Sequence, residues 1–313
     1  MRIGVLIFAK PEEDVASGIE RLEKAGREAG HEIVRLYETT LSIYSPPNVG
    51  GVSAKGGSAS GGRGGTGVEV RLDEQPIGPF DALIARPNFI EEPSLHTPLL
   101  EALEQNGYRV LNRAAPITIA KNKLLQHVRF QKSGIPMPRW AIVHTVKEAR
   151  RASALLGFPL IAKVAFGTWG AGVFYAENLE TLQPIMHYLQ VRDGNPVILE
   201  TFIEEANRTD LRVFVVGGKI IAAMERKARP GDVRANTSIG GEGHTAQLTK
   251  DEERVALDAA HVSELDIAGV DILRSKQGPL VIEVNANPGF AELERVTGVN
   301  IAKTIIEFAI SGH

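Results

Sequence analysis

Residues 278–289 read Gly-Pro-Leu-Val-Ile-Glu-Val-Asn-Ala-Asn-Pro-Gly. Val281 to Asn285 has the alternation of a strand, and Pro288-Gly289 ends it. Strand side chains repeat every second residue, so Glu283 and Asn285 share one face while Ile282 and Val284 face an apolar layer. A second apolar strand, Ala268-Gly269-Val270-Asp271-Ile272-Leu273, closes just before it with an acid in its middle. If the two strands pair, Asp271 joins Glu283 and Asn285. Three hard oxygen donors suit Mg²⁺, which takes one or two carboxylates and completes its shell with nucleotide phosphates and water. The plainer reading makes Asp271 a turn-proximal acid and pairs Glu283 with a lysine or arginine. Carboxylates inside apolar strands are rarely left unpaired and without a role.

Working outward, 313 residues exceed what one core usually organises, so two or three subdomains are expected. A hydrophobic fraction of 43% and a charged fraction of 23% describe an ordinary globular chain. No apolar run approaches a membrane span, and no membrane partner is expected. Met1 to Phe8 resembles a signal peptide but passes straight into Lys10-Pro11-Glu12-Glu13-Asp14, which favours a buried first strand. A net charge of −3 offers nucleic acid no general attraction. The absence of cysteine removes thiolate zinc sites, thiol nucleophiles and disulfides together, and makes the cytoplasm the natural compartment.

Residues 3–9, 31–37 and 80–85 read as strands and 12–29 as an amphipathic helix stopped by Gly30, a β-α-β start to a small parallel sheet. Residues 46–67 are so rich in glycine and serine that they predict a flexible surface insertion. Lys55 and Arg63 leave a phosphate-cradling role for that stretch as the alternative. Residues 94–106 and 118–133 read as helices, and an α/β segment follows, with strands 140–143, 158–164 and 172–176 and helices 146–156 and 179–190. Strands 196–203, 210–217 and 219–225, a helix over 249–264, the two carboxylate-bearing strands and a closing helix over 298–311 complete the chain.

Several stretches carry chemistry. Lys163 is the one cation in the apolar strand Phe158 to Val164. It reads either as an edge-strand lysine or as a point charge for a nucleotide phosphate. Gly167-Thr168-Trp169-Gly170-Ala171-Gly172 follows, a turn whose glycines let backbone N–H groups approach an anion, or else a plain hairpin. Its spacing fits neither the Walker loop nor the dinucleotide fingerprint. Glu200-Thr201-Phe202-Ile203 ends one strand, Asp210-Leu211-Arg212 opens another, and Glu225-Arg226-Lys227 ends a third. Arg229, Asp232, Arg234 and Asn236 crowd a polar loop. Arginine there suits polyphosphate or a substrate carboxylate, with surface ion pairs as the plainer reading.

From about Asn112 to Ile305 these segments resemble, in order, an ATP-grasp carboxylate–amine ligase, and most closely the RimK-like glutamate ligases. Ala120-Lys121-Asn122-Lys123, Ile161-Ala162-Lys163, the glycine turn, Arg234-Ala235-Asn236 and Glu283 to Gly289 carry the likeness together. The resemblance implies an α/β (α+β ATP-grasp) fold. Residues 1–111 would form a small parallel α/β domain, 112–192 a central lid subdomain, and 193–313 a C-terminal antiparallel-sheet subdomain with the metal site. It implies ATP held by Lys123, Lys163, Gly167, Thr168, Trp169, Gly170 and Gly172. Glu200, Thr201, Phe202 and Ile203 would lie along the adenine, Asp210 at the ribose, and Arg234 and Asn236 at the phosphates as catalytic residues. Asp271, Glu283 and Asn285 would hold two Mg²⁺ ions, with Mn²⁺ an alternative. Arg212, Arg226 and Arg229 are substrate candidates, although Arg212 and Arg226 read nearly as well as partners of Asp210 and Glu225.

Two departures stand out. Thr201 replaces an acid common at the adenine hinge, and Trp169 is similar to ligases that modify an amino-acid carrier protein. The implied reaction joins an amino acid, foremost L-glutamate, to an acceptor carboxylate through an acyl phosphate, releasing ADP and phosphate. The acceptor is a protein C-terminus, carrier protein, peptide or cofactor, and a homo-oligomer is left open. Three rivals remain. One is a ligase of other specificity in the same fold. Another is a non-catalytic ATP-binding scaffold. The third is a hydride-transfer enzyme resting on Gly241-Glu242-Gly243-His244-Thr245-Ala246.

Overall fold

Strand β1 (Arg2–Ile7) buries Ile3 and Val5 to Ile7, as a strand covered on both faces should. The computed structural model describes residues 1–11, 17–45, 68–167, 172–192, 194–229 and 241–311. Helix α1 (Ser17–Glu28) buries Ile19, Leu22 and Ala25, the apolar face that its spacing predicts. β2 (Glu32–Tyr37) pairs parallel with β1. A small antiparallel sheet then interrupts the domain: β3 (Leu41–Tyr44), β4 (Glu69–Leu72) and β5 (Gln75–Pro76). The sequence does not announce it, because strands of two to four residues leave almost no periodic signal. Tyr44 lies opposite Glu69, so residues 46–67, themselves outside the described residues, join the ends of one hairpin. β6 (Ala82–Arg86), α2 (Thr97–Gln105) and β7 (Val110–Leu111) complete a parallel sheet of order β2-β1-β6-β7.

The helix expected over 118–133 is two: α3 (Ala114–Lys121) and α4 (Lys123–Lys132). Asn122 between them is extended, and its side chain accepts hydrogen bonds from the Leu124 and Leu125 N–H groups. A short amide side chain that satisfies the orphan donors of a new helix end is a reason to break there.

β8 (Trp140–Val143), α5 (Val146–Leu156), β9 (Leu160–Val164), β10 (Val173–Ala176), α6 (Leu179–Arg192) and β11 (Val197–Thr201) form a second unit. A capping box of Thr145 and Glu148 starts α5. The sheet order is β10-β9-β11-β8, with both helices on a core of their own that includes Leu160, Leu182 and Leu199. A division at 192/193 would cut this sheet, since β11 lies between β9 and β8. The chain leaves the central sheet only between Thr201 and Thr209.

The third unit is the sheet β14-β13-β12-β15-β16 with α7 (Lys250–Val262) against it. Its strands are β12 (Thr209–Val216), β13 (Lys219–Lys227), β14 (Glu242–Thr245), β15 (Ile267–Ser275) and β16 (Gly278–Asn285). Gly217 and Gly218, at φ of 55° and 72°, make the tight β12–β13 hairpin. The closing helix predicted over 298–311 is α9 (Ile301–Ile310); a short helix that the sequence does not announce, α8 (Ala291–Thr297), precedes it, and Gly298 at φ 70° parts the two. α9 packs on α1, so the C-terminal residues share a core with the first domain: Ile305 and Phe290 lie in one cluster with Ile3 and Leu22. Buried Asn112 pins the junction, donating to the Ile267 and Ala286 carbonyls and accepting from the Ile267 N–H. No helix among the described residues is long and apolar enough to cross a membrane.

Candidate active site

Antiparallel pairing of β15 and β16 sets Asp271 opposite Glu283 and Gly269 opposite Asn285. The Asn285 Nδ2 lies 3.3 Å from Asp271 Oδ2 and 3.2 Å from Glu283 Oε1, so the three side chains meet on one face. The strict alternation read from the sequence breaks beside them. A register shift leaves Ile282 as an extra residue, and Val281 and Val284 become the buried pair. Such a bulge re-aims the side chains next to it. Among the described residues no three His, Cys, Asp or Glu side chains form a metal group. The donor set here is two carboxylates and an amide, hard oxygens that fit Mg²⁺.

Asp271 is 1% exposed and is held from behind. Arg212, its neighbour across β12 and β15, grips it in two hydrogen bonds, and Arg226 Nη2 lies 3.0 Å from Asp271 Oδ2. Arg226 also binds Asp210 through two contacts of 2.7 Å. Two buried acids and two buried arginines thus balance. Burial alone would raise the Asp271 carboxyl; Arg212 and Arg226 outweigh it and hold it low. Gly269 makes room for this arrangement: a Cβ there would stand 2.6 Å from Pro288 and 3.3 Å from Arg212. Asp210, Arg212 and Arg226 therefore face one another and Asp271, whereas Glu225 pairs with Arg274 at 2.8 Å.

Helix α4 supplies the opposite wall. Lys123, its first residue, donates from Nζ to the Gly167 carbonyl at 3.1 Å and stands 3.8 Å from Glu283 Oε2. Its N–H bonds the Ala165 carbonyl just past β9. Gln126 clasps the edge of β16, donating to the Val284 carbonyl and accepting from its N–H, both at 2.9 Å. His127, one turn from Lys123, contacts Glu200 through Nε2 at 2.6 Å. The other Glu200 oxygen is 2.6 Å from Lys163 Nζ. Lys163 is no edge lysine, since β9 lies between β10 and β11. All three groups are buried. Burial pushes the Glu200 carboxyl up, but Lys163 and His127 pull it down to about 2. Gln126 and His127 escaped the sequence reading; their i, i+3 and i, i+4 spacing from Lys123 was the available signal.

At the hinge, the Thr201 and Phe202 N–H groups bond the Arg139 and Pro159 carbonyls, and the Phe202 ring meets Tyr175 edge-on at 5.1 Å. Ile203 leads from Phe202 into a short 3-10 turn. Gly172, at φ 79°, accepts the Val164 N–H and touches its side chain so closely that no Cβ fits. Gly167 and Gly172 thus bracket Thr168, Trp169 and Gly170, which lie outside the described residues, as do Arg234 and Asn236. Arg229 is the last described residue before that second stretch. Glu242–Thr245 is an edge strand antiparallel to β13, not a strand-to-helix turn, so it offers no dinucleotide phosphate site.

Residues 120–309 match the RimK-like ATP-grasp domain. The chain belongs to the RimK-like ATP-grasp family. It is 32% identical over 294 residues to the probable alpha-L-glutamate ligase 1 of Hahella chejuensis, covering 92% of this chain and 89% of that one. It is 37% identical over 231 residues to the probable alpha-L-glutamate ligase of Enterobacter sp., covering 73% and 76%. A RimK domain ATP-grasp protein from Sphaerobacter thermophilus shares the fold with a TM-score of 0.73 at 19% identity, over 99% of this chain and all (100%) of that one. The ATP-grasp ligase PsnB, solved with a variant precursor, Mg and ADP, gives 0.71 at 20% identity over 99% and 97%. At those identities the likeness is one of fold. The protein is an ATP-grasp ligase of the carboxylate–amine type, in a family that uses ATP and Mg²⁺.

Proposed function

We propose that this ligase joins the amine of an amino acid, L-glutamate, to an acceptor carboxylate through an acyl phosphate, with release of ADP and phosphate. The single observation that carries the reading is the convergence of Asp271, Glu283 and Asn285 with Lys123, which reaches both Glu283 and the Gly167 carbonyl. The relatives named as probable alpha-L-glutamate ligases support glutamate as the amino acid. That PsnB was solved with a precursor supports a peptide as the acceptor, ahead of a carrier protein, protein C-terminus or cofactor.

Phosphoryl transfer needs positioning and charge stabilisation more than covalent chemistry. Lys163 pairs with Glu200 in a buried setting, where a cation acts on phosphate oxygens with little screening. Lys123 brings a second cation beside the glycine turn. Thr168, Trp169 and Gly170 are proposed to cover the phosphates and to exclude the water that would hydrolyse the acyl phosphate. Arg234 and Asn236 are proposed to meet the transferred group, with Arg229 beside them. Glu200 serves the nucleotide through Lys163, and the hinge from Thr201 to Ile203 borders the adenine. Asp210 keeps its place in the ribose assignment only if it exchanges Arg226, its present partner. Asp271, Glu283 and Asn285 would hold two Mg²⁺ ions, or Mn²⁺, which neutralise phosphoryl charge when bound. ATP supply fits a cytoplasmic setting.

The test is positional isotope transfer. With ¹⁸O in the acceptor carboxylate, one labelled oxygen should appear in released phosphate. Unlabelled phosphate, or AMP and pyrophosphate in place of ADP, would refute the mechanism. Transfer with another amino acid but not glutamate would leave the mechanism and change the substrate.

A further inference from the structure

The parallel sheet changes direction between β1 and β6: the chain moves outward to β2 on one side and to β7 on the other. In open α/β sheets ligands bind outside the carboxyl ends of the strands at such a point. Arg86 ends β6 there and is 5% exposed. Its Nη2 donates to the Pro288 carbonyl at 3.2 Å and its guanidinium lies 5.5 Å from the Phe290 ring centre. Lys121, the last residue of α3, reaches the Pro87 carbonyl at 3.5 Å and stands 4.8 Å from the Phe89 ring centre. Among the described residues neither cation has a carboxylate within ion-pair distance. Arg86 is buried and Lys121 half-buried; cations so shielded are normally paired, so two of them at one junction suit an anion. Burial lowers the Arg86 guanidinium to about 10. Burial and then Lys123 lower the Lys121 ammonium to about 8, against the opposing pull of Glu283 and Glu91.

Asn287 adds the complementary group. Its Nδ2 donates to the same Pro87 carbonyl at 3.2 Å, while its buried Oδ1 has no partner among the described residues. An acceptor without a donor therefore lies beside two cations without an anion. Asn287 follows Asn285 by two residues, and Lys121 feels Glu283, so this junction borders the phosphoryl-transfer site. Gly289, exposed next to it, has nothing within 4 Å of where a Cβ would stand. An anion with an adjacent N–H donor is the signature of an α-amino acid.

We infer that Arg86, Lys121 and Asn287 seat the amino-acid substrate, the two cations receiving a carboxylate and Asn287 Oδ1 receiving an N–H of its amine. The inference rests on the ligase reading and assigns that reading an amino-acid subsite. It gives the first domain a function in the reaction: Arg86 comes from β6, Lys121 from α3, and Asn287 from the segment beyond β16. Holding the amine beside the transfer site orients it for attack on the activated acceptor.

Binding rather than turnover tests it. Calorimetry on the full chain with Mg²⁺ and a non-hydrolysable ATP analogue would titrate L-glutamate and, separately, glutarate, which has carboxylates but no amine. Lys121→Met should weaken both by roughly 10- to 100-fold, the loss of one charge-assisted contact. Asn287→Leu should weaken L-glutamate and leave glutarate unchanged. Nucleotide affinity should stay unaltered in both variants. Arg86→Lys, with circular dichroism to confirm folding, provides a third variant that keeps the charge and loses the fork, and should weaken L-glutamate as well. Unchanged L-glutamate affinity in Lys121→Met and Asn287→Leu overturns the subsite. So does a loss of nucleotide affinity, which would assign the cations to phosphate, or a wild-type chain that binds no α-amino acid. If wild type binds a different amino acid with the same dependence on Lys121 and Asn287, the subsite stands. The ligase reading is judged independently, by amino-acid-dependent ADP release.

Discussion

Glu283 and Glu200 show how two carboxylates, one half-buried and one buried, acquire different work. Glu283 is half-buried, shares Asn285 with Asp271, and keeps Lys123 at 3.8 Å. Replacing it by glutamine preserves shape and removes the charge, so turnover should fall by roughly 10²–10³-fold with the fold intact. Steady-state kinetics beside a thermal melt decides this; near-normal turnover in a folded Glu283→Gln chain would remove the residue from the metal set. Glu200 is sealed between Lys163 and His127 and titrates at about 2, below its ordinary 4.5. A depressed carboxyl stabilises the fold fully above its unfolded value and loses that contribution as pH falls through the folded value. Wild-type stability should therefore decline between about pH 4.5 and 2, and Glu200→Gln should flatten that part of the curve while lowering stability at neutral pH. Denaturant midpoints across this window measure both. An unchanged slope would mean that the Lys163–Glu200–His127 chain does not hold Glu200 ionised.

At the scale of elements, α4 does more than any other. One N-cap, Asn122, fixes where the helix begins, and the first two turns then place Lys123 at Gly167, Gln126 on β16 and His127 on Glu200. The helix couples the central sheet to the third sheet through side chains three and four residues apart. The hairpin of β3 and β4 is a contrasting case. Because Tyr44 and Glu69 already face each other, the chain between them is not needed to set the register. Replacing residues 46–67 with a short turn should leave the melting temperature and ATP turnover nearly unchanged, since loop length changes closure entropy only slowly. A fall of several degrees, or lost turnover, would show that the stretch contributes to the core or the site.

Across the whole molecule, stability and chemistry meet in the quartet of Asp210, Arg212, Arg226 and Asp271. Removing one member leaves a buried charge without its partner, which costs about 3–5 kcal/mol. Arg226→Met should lose that much by chemical denaturation, far more than the surface pair Arg254–Asp251 would cost. A loss below about 1 kcal/mol would mean that water reaches the quartet. The sequence by itself determined what depends on local period and local capping. It placed the helix at 146–156, Glu283 and Asn285 on one face, and the order of motifs that marks the family. It did not determine which charges meet. Arg212 and Asp271 are 59 residues apart, His127 and Glu200 are 73 apart, and Arg86 reaches Pro288 across 202. Strand register and sheet order choose those partners. A slip of one residue would turn each side chain to the other face, and the bulge at Ile282 does so locally. Tertiary structure alone therefore decided that Arg212 and Arg226 support Asp271, and that Arg86, Lys121 and Asn287 converge. Burial gives such meetings their energy, and only the folded chain has an interior.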